Sequence, residues 1–335
     1  MMRPNSCVFA LSASLLVLFA ACGGGSNNNN NSNPNPVPGI TALSPASVTA
    51  GAAAQTLTLT GTNFLSSSTV TYNAVAHTAT FVSATELTIP LSASDQATAG
   101  TYAVVVTNPS PGGGASNSVN LTVNNPTPTV TTLSPSSANA GAAAETLTIN
   151  GANFVSNSTV TYNAASHTAT YVSATQLTIQ LSAGDQATSG TFAVVVTNPT
   201  PGGGASNSVN FTVDNPVPTL ASLSPASAAA GAAAQTLTIN GTNFTSASTV
   251  TYNSVAHTAK FVSATQLTVQ LSAADQATGG TFVVVVTNPA PGGGASNSVN
   301  FTVDNPAPTI ASAPSASTKF AWRNATVVFV EESAS

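Results

Sequence analysis

The chain has 335 residues, four Lys or Arg against nine Asp or Glu, a net charge of −5 and a charged fraction of 4%, where an average soluble protein carries about 25%. So few cations exclude the clustered Lys and Arg that phosphate backbones require, and chemistry by paired carboxylates or by a His with a carboxylate partner is nearly excluded by supply. Hydrophobic residues at 42% still allow real cores, and at about 100–200 residues per domain the length predicts two or three domains.

The N-terminus reads MMRPNSCVFALSASLLVLFAACGGGS. Arg3 precedes an apolar run from Cys7 to Ala21, which at 1.5 Å per residue is too short to span a bilayer of about 30 Å. Residues 1–21 therefore read as an export signal. Phe19-Ala20-Ala21-Cys22 resembles a bacterial lipobox, although Phe19 stands where that pattern prefers Leu. The resemblance implies acylation of Cys22, a membrane partner through the lipid, and a place on the bacterial outer membrane or cell surface. Plain secretion or an uncleaved anchor is the alternative. Cys7 lies in the signal, so Cys22 is the one mature cysteine and no intramolecular disulfide can form. Residues 22–36 then form a polar, low-complexity tether. As a coil, the 16 residues Gly23–Pro38 would span roughly 20–24 Å.

From there the chain repeats every 90 residues without a gap. Gly61-Thr62-Asn63-Phe64 returns as Gly151-Ala152-Asn153-Phe154 and Gly241-Thr242-Asn243-Phe244, and the second and third repeats agree at 70 of 90 positions. The expected domains are 37–126, 127–216 and 217–306, a length that suits an independent sandwich better than a solenoid unit. Within the first repeat, Thr56–Thr60, Val70–Tyr72, Leu87–Leu91 and Val119–Val123 alternate apolar and polar residues, the mark of half-buried strands. Tyr102–Val106 is continuously apolar and predicts a central strand buried on both faces. Gly, Pro, Asn and Ser clusters separate these runs. Gly61 is expected to end its strand at a turn, Asn63 to take left-handed geometry and Phe64 to drop into the core. With almost no Lys, edge protection falls to Pro90 and the Pro-Gly loops. The fold class is all-β.

Each repeat resembles an IPT/TIG domain. The resemblance rests on Pro128-Thr129-Val130, Leu133-Ser134-Pro135, Gly141, Leu147–Phe154, Val194–Pro199 and Ser206–Val213, and it covers about 270 residues. It implies a tandem array of three immunoglobulin-like β-sandwiches with a scaffold or extracellular role. It carries over no catalytic residue.

Candidate sites are few. His77, His167 and His257 occupy one equivalent position, and since metal ligands must converge within about 2 Å of an ion, each His reads as standing alone at a strand start. Asp95, Asp185 and Asp275 read as turn residues before the next strand. Asp214 and Asp304 at repeat boundaries could hold calcium, but one carboxylate per junction falls short of six to eight oxygens, and a rigid Pro-containing linker is the simpler reading. Fourteen aromatic residues at five equivalent positions, typified by 64, 72, 81, 102 and 121, are assigned to the core. Gly112–Gly114 reads as a hairpin-type connection. Residues 307–335 begin like a fourth repeat and then break pattern, so they read as a partial repeat or disordered tail, with a sorting or docking peptide as the alternative.

The expected function is non-enzymatic: an adhesive or structural scaffold, no cofactor, no metal, no nucleic acid, and a protein or glycan ligand whose identity stays open. The alternative is a polysaccharide-binding module working beside separate enzymes, which would need exposed aromatic platforms. Burial of Tyr72, Tyr162 and Tyr252 would favour the scaffold.

Overall fold

The computed structural model describes residues 33–307. Cys22 with its signal segment, most of the tether and the tail from residue 308 lie outside the described residues. Within them there are strands and no helix. The chain divides into two compact units between Asn124 and Asn125, the second holding repeats 2 and 3.

The strands of repeat 1 are β1 (Gly39–Ser44), β2 (Ser47–Thr49), β3 (Gln55–Thr62), β4 (Thr69–Tyr72), β5 (Val75–His77), β6 (Thr80–Ser83), β7 (Glu86–Leu91), β8 (Gly100–Asn108), β9 (Gly114–Ala115) and β10 (Val119–Asn124). One sheet has the order β1-β3-β7-β6, and the other β2-β10-β8-β4-β5, with β9 hairpinned onto β8. All neighbours are antiparallel except β2 and β10, which run parallel. This is immunoglobulin-like order, and it recurs in the other two repeats.

Alternation decides what is inside. Leu57, Leu59, Leu87, Ile89 and Leu91 from the first sheet meet Val70, Tyr72, Val104, Val106, Leu121 and Val123 from the second in one buried core. Each such side chain contributes about 1.5–3 kcal/mol of transfer free energy. The continuous apolar run of β8 does not bury both faces. Val104 and Val106 are buried, Val105 is half-buried and Ala103 exposed, because an antiparallel sandwich covers each sheet on one side only.

Two local readings also change. Asn63 does take φ 60° and Phe64 is buried, but Gly61 lies inside β3 rather than at its end. A Cβ there would stand 2.0 Å from the Gly39 carbonyl oxygen and 2.4 Å from Phe64 Cζ, so the glycine permits close approach of β1 and the ring. Pro90 lies on an inner strand, β7, but in a stretch left without a strand neighbour on one side. It faces Thr56 on β3, past the end of β6, whose pairing with β7 runs only from Thr88 to Glu86.

Candidate functional site

Three features of each repeat bring polar or exposed groups together. The first joins residues that the sequence reading kept apart. His77 ends β5 rather than starting a strand, and its Nε2 lies 3.8 Å from Asp95 Oδ1, with 3.6 Å for His167–Asp185 and for His257–Asp275. The expectation of a histidine standing alone is thus corrected: a carboxylate reaches it from the β7–β8 connection. His77 Nδ1 faces the Pro90 carbonyl at 3.3 Å, and the Tyr72 ring meets the imidazole edge-on at 5.7 Å. Asp95 is a turn residue, as its neighbours predicted. Its Oδ2 accepts the backbone N–H of Ser92 at 2.7 Å and the Ser92 hydroxyl at 2.6 Å. Burial alone would raise the Asp95 carboxyl; the Ser92 bonds and nearby His77 outweigh it and hold the group below the usual carboxylate value. Tyr72 donates to the Asp95 carbonyl at 3.0 Å. Burial, Tyr102 and the Asp95 charge push its hydroxyl up to about 12. Beside this cluster lies a shallow hollow of about 210 Å³ lined by Tyr72, Asn73, Asp95, Thr98 and Tyr102, repeated at about 230 and 180 Å³.

The second feature fixes the entry to each sandwich. Asn35 donates its N–H to the Pro111 carbonyl at 2.8 Å and its Nδ2–H to the Pro109 carbonyl at 2.8 Å, while Gly113 N–H returns to the Asn35 carbonyl at 2.6 Å. The last residues of the expected tether are therefore docked. Gly112–Gly114 is a hairpin connection, and it is also the receptor for this docking: all three glycines have positive φ. Asn125 and Asn215 repeat the arrangement on Pro201 and Pro291. Asn108, buried at the end of β8, donates to the Pro36 and Asn63 carbonyls at 2.8 Å each and accepts from the Ser68 hydroxyl at 2.6 Å. It ties linker, β3–β4 connection and β8 together. The Val-Val-Thr-Asn-Pro motif flagged this position by recurrence, without the reason for an amide.

The third feature is aromatic. Tyr72, Tyr162 and Tyr252 are buried, as are Phe64, Phe154, Phe211 and Phe301. Phe81, Tyr171 and Phe261 are not core residues: each is 40–41% exposed on β6 or its counterpart. Asp214 and Asp304 end the last strands of repeats 2 and 3, and among the described residues no group of three or more His, Cys, Asp or Glu converges.

The family model described as IPT/TIG domain matches residues 38–123, 128–213 and 218–303. No curated protein sequence matches the chain. Solved structures that match include the D1–D4 ectodomain fragment of ICAM-5, at 14% identity over 79% of this chain and 75% of that one, TM-score 0.38. The Yersinia pseudotuberculosis adhesin InvE matches at 15% identity over 57% and 62%, TM-score 0.32. The full extracellular region of plexin A4 matches at 15% identity over 73% of this chain, TM-score 0.23, and the chain spans 21% of that structure.

Proposed function

The chain belongs to the IPT/TIG domain family, and on that premise we propose that it is a non-enzymatic scaffold of the bacterial envelope, lipid-anchored through Cys22 and adhesive through its tandem sandwiches. The observation that carries this reading is the junction between repeats 2 and 3. The last strand of repeat 2 ends at Asp214, and the next residue, Asn215, is already bonded to repeat 3 through Pro289 and Pro291. No free residue separates the two sandwiches, which suits a spacer that holds binding surfaces at fixed distance. Asp95 accepts from Ser92 and Tyr72 donates to the Asp95 carbonyl, while His77 Nδ1 faces the Pro90 carbonyl, which supports a structural role for this cluster.

Burial of Tyr72, Tyr162 and Tyr252 at 2–3% exposure favours the scaffold, and the exposed Phe81, Tyr171 and Phe261 are the aromatic side chains that the polysaccharide-binding alternative would use. The test is a binding screen of the full chain against whole cells, matrix proteins and a glycan array. Saturable binding to cells or matrix that free sugars do not compete supports adhesion. A sugar-competed signal would move the protein to the carbohydrate-binding class, and silence on all three would reduce it to a passive spacer.

A further inference from the structure

At the side where β5 and β6 end the two sheets, a histidine reaches from one sheet toward the other. β5 (Val75–His77) closes the second sheet and has β4 as its strand neighbour on one side only. Its last residue, and the last of its counterparts Ala165–His167 and Val255–His257, is the histidine. Pro90 lies on β7 of the first sheet, past the end of β6. Its carbonyl faces His77 Nδ1 at 3.3 Å, as the Gln180 carbonyl faces His167 Nδ1.

A carbonyl oxygen only accepts, so the ring hydrogen of a neutral His77 belongs on Nδ1. Nε2 is then an acceptor, and it faces a second acceptor, Asp95 Oδ1, at 3.8 Å; the other two pairs stand at 3.6 Å. The Nε2 atoms of His77 and His257 are buried without a hydrogen-bond partner. Asp95 is not the missing donor. Its Oδ2 takes both Ser92 bonds, and the carboxyl is held below its usual value. Two buried acceptors facing each other are unsatisfied. A proton between them turns the pair into a charge-assisted hydrogen bond from imidazolium to carboxylate. The His77 and Asp95 side chains are 12% and 24% exposed, which leaves the proton a route from solvent.

We propose that this histidine is a proton-operated clasp: on acidification it takes up a proton, bonds through Nε2 to the aspartate of its own repeat, and fastens β5 to the β7–β8 connection. The clasp works within each sandwich, whatever the array binds. The groups around it are few. Tyr72 of β4 meets the ring edge-on, and its hydroxyl is committed to the Asp95 carbonyl. Tyr102 of β8 packs on Tyr72, with Phe192 and Phe282 in its place in the other repeats. Glu145 acts on Tyr162 in repeat 2, where the neighbouring repeats have Gln55 and Gln235. Lys260 of repeat 3 lies three residues beyond His257, opposite Thr268. Asp95 is lowered and Tyr72 raised, so within the clasp the histidine is the group that changes charge between about pH 5 and about pH 8.

The sign follows from linkage. Proton uptake on folding gives stability that is present below the ordinary imidazole range and is lost as pH rises through it. The full chain is melted with Glu145→Gln throughout, which gives repeat 2 the glutamine of its neighbours. Its transitions should rise by about 4–8 °C between about pH 8 and about pH 6. His77→Gln, His167→Gln and His257→Gln together offer each aspartate an amide N–H at every pH, and should remove that rise. Nitrogen NMR of the unaltered chain at about pH 8 needs no variant, and should find the ring hydrogen of His77 and His167 on Nδ1. A ring hydrogen on Nε2, already shared with the aspartate, would overturn the clasp. So would transitions that do not rise on acidification, or that rise equally in the glutamine variant.

Discussion

Glu145 is the residue at which repeat 2 departs from its neighbours to its own cost. In repeats 1 and 3, Gln55 and Gln235 donate an amide N–H to Gln96 and Gln276, whose own amide nitrogens are committed to carbonyls such as Ser92 and Ala233. Gln186 likewise donates to the Ala143 and Ser182 carbonyls, so its oxygen is left facing a residue that has no amide to give. Both Glu145 Oε1 and Gln186 Oε1 are buried without a hydrogen-bond partner. Glu145→Gln should therefore stabilise repeat 2 by about 1 kcal/mol, raising its melting transition by about 4–8 °C in calorimetry. The Asp95 set acts at acid pH. Its carboxyls are lowered in the fold, so their contribution is complete above the ordinary value of 3.8 and is lost as pH falls through the lower folded value. Tyr72, Tyr162 and Tyr252 act oppositely: raised from 10.0 to about 12, they stabilise below pH 10 and cease to do so as pH rises through about 12. Melting temperature against pH should show both limbs, and Asp95→Asn with its two counterparts should flatten the acid one.

At the level of elements, the least tolerant contact is between the first strand of each repeat and the strand that receives it. Gly151 is the glycine at that crossing in repeat 2, where a Cβ would stand 1.9 Å from the Thr129 carbonyl oxygen and 2.6 Å from Phe154 Cζ. Backbone cannot yield as a flexible side chain does, so Gly151→Ala should cost about 3 kcal/mol or more. A fall of about 12 °C or more in the repeat 2 transition checks this. Alternation made β3, β4, β7 and β10 legible, because one face of each is buried and the other is wet. β5 and β6 escaped the same test. They lie at the open side of the sandwich, where Phe81 and Val82 are both exposed, and a strand with neither face buried has no period to read.

For the whole molecule, the proposed anchor makes residues 1–21 an export signal and Cys22 the residue that carries the lipid. Cys22→Ser should move the protein from the membrane fraction to the soluble fraction of fractionated cells, and unchanged association would refute the anchor. The docked Asn-Pro entries bear on the array. Asn215 is 6% exposed and bonded at backbone and side chain, so the reading of a rigid Pro-containing linker at Asp214-Asn215-Pro216 acquires a mechanism in repeats 2 and 3. Among the described residues Lys260 is the one Lys or Arg, so the exposed surface is one of Thr, Ser, Asn and apolar edges rather than of cations.

What the sequence determined by itself was the 90-residue period, the all-β class and the family, because repeats and alternation are local properties that survive without coordinates. Tertiary structure alone decided the rest. His77 and Asp95 are 18 residues apart along the chain and 3.8 Å apart in the fold, since β5 ends beside the β7–β8 connection. Asn35 finds Pro111 across the domain, and the aromatic at position 81 is exposed because β6 is an edge. Proximity between distant segments, and which strand is last in a sheet, are set by how sheets close against each other, and no window of neighbouring residues records it.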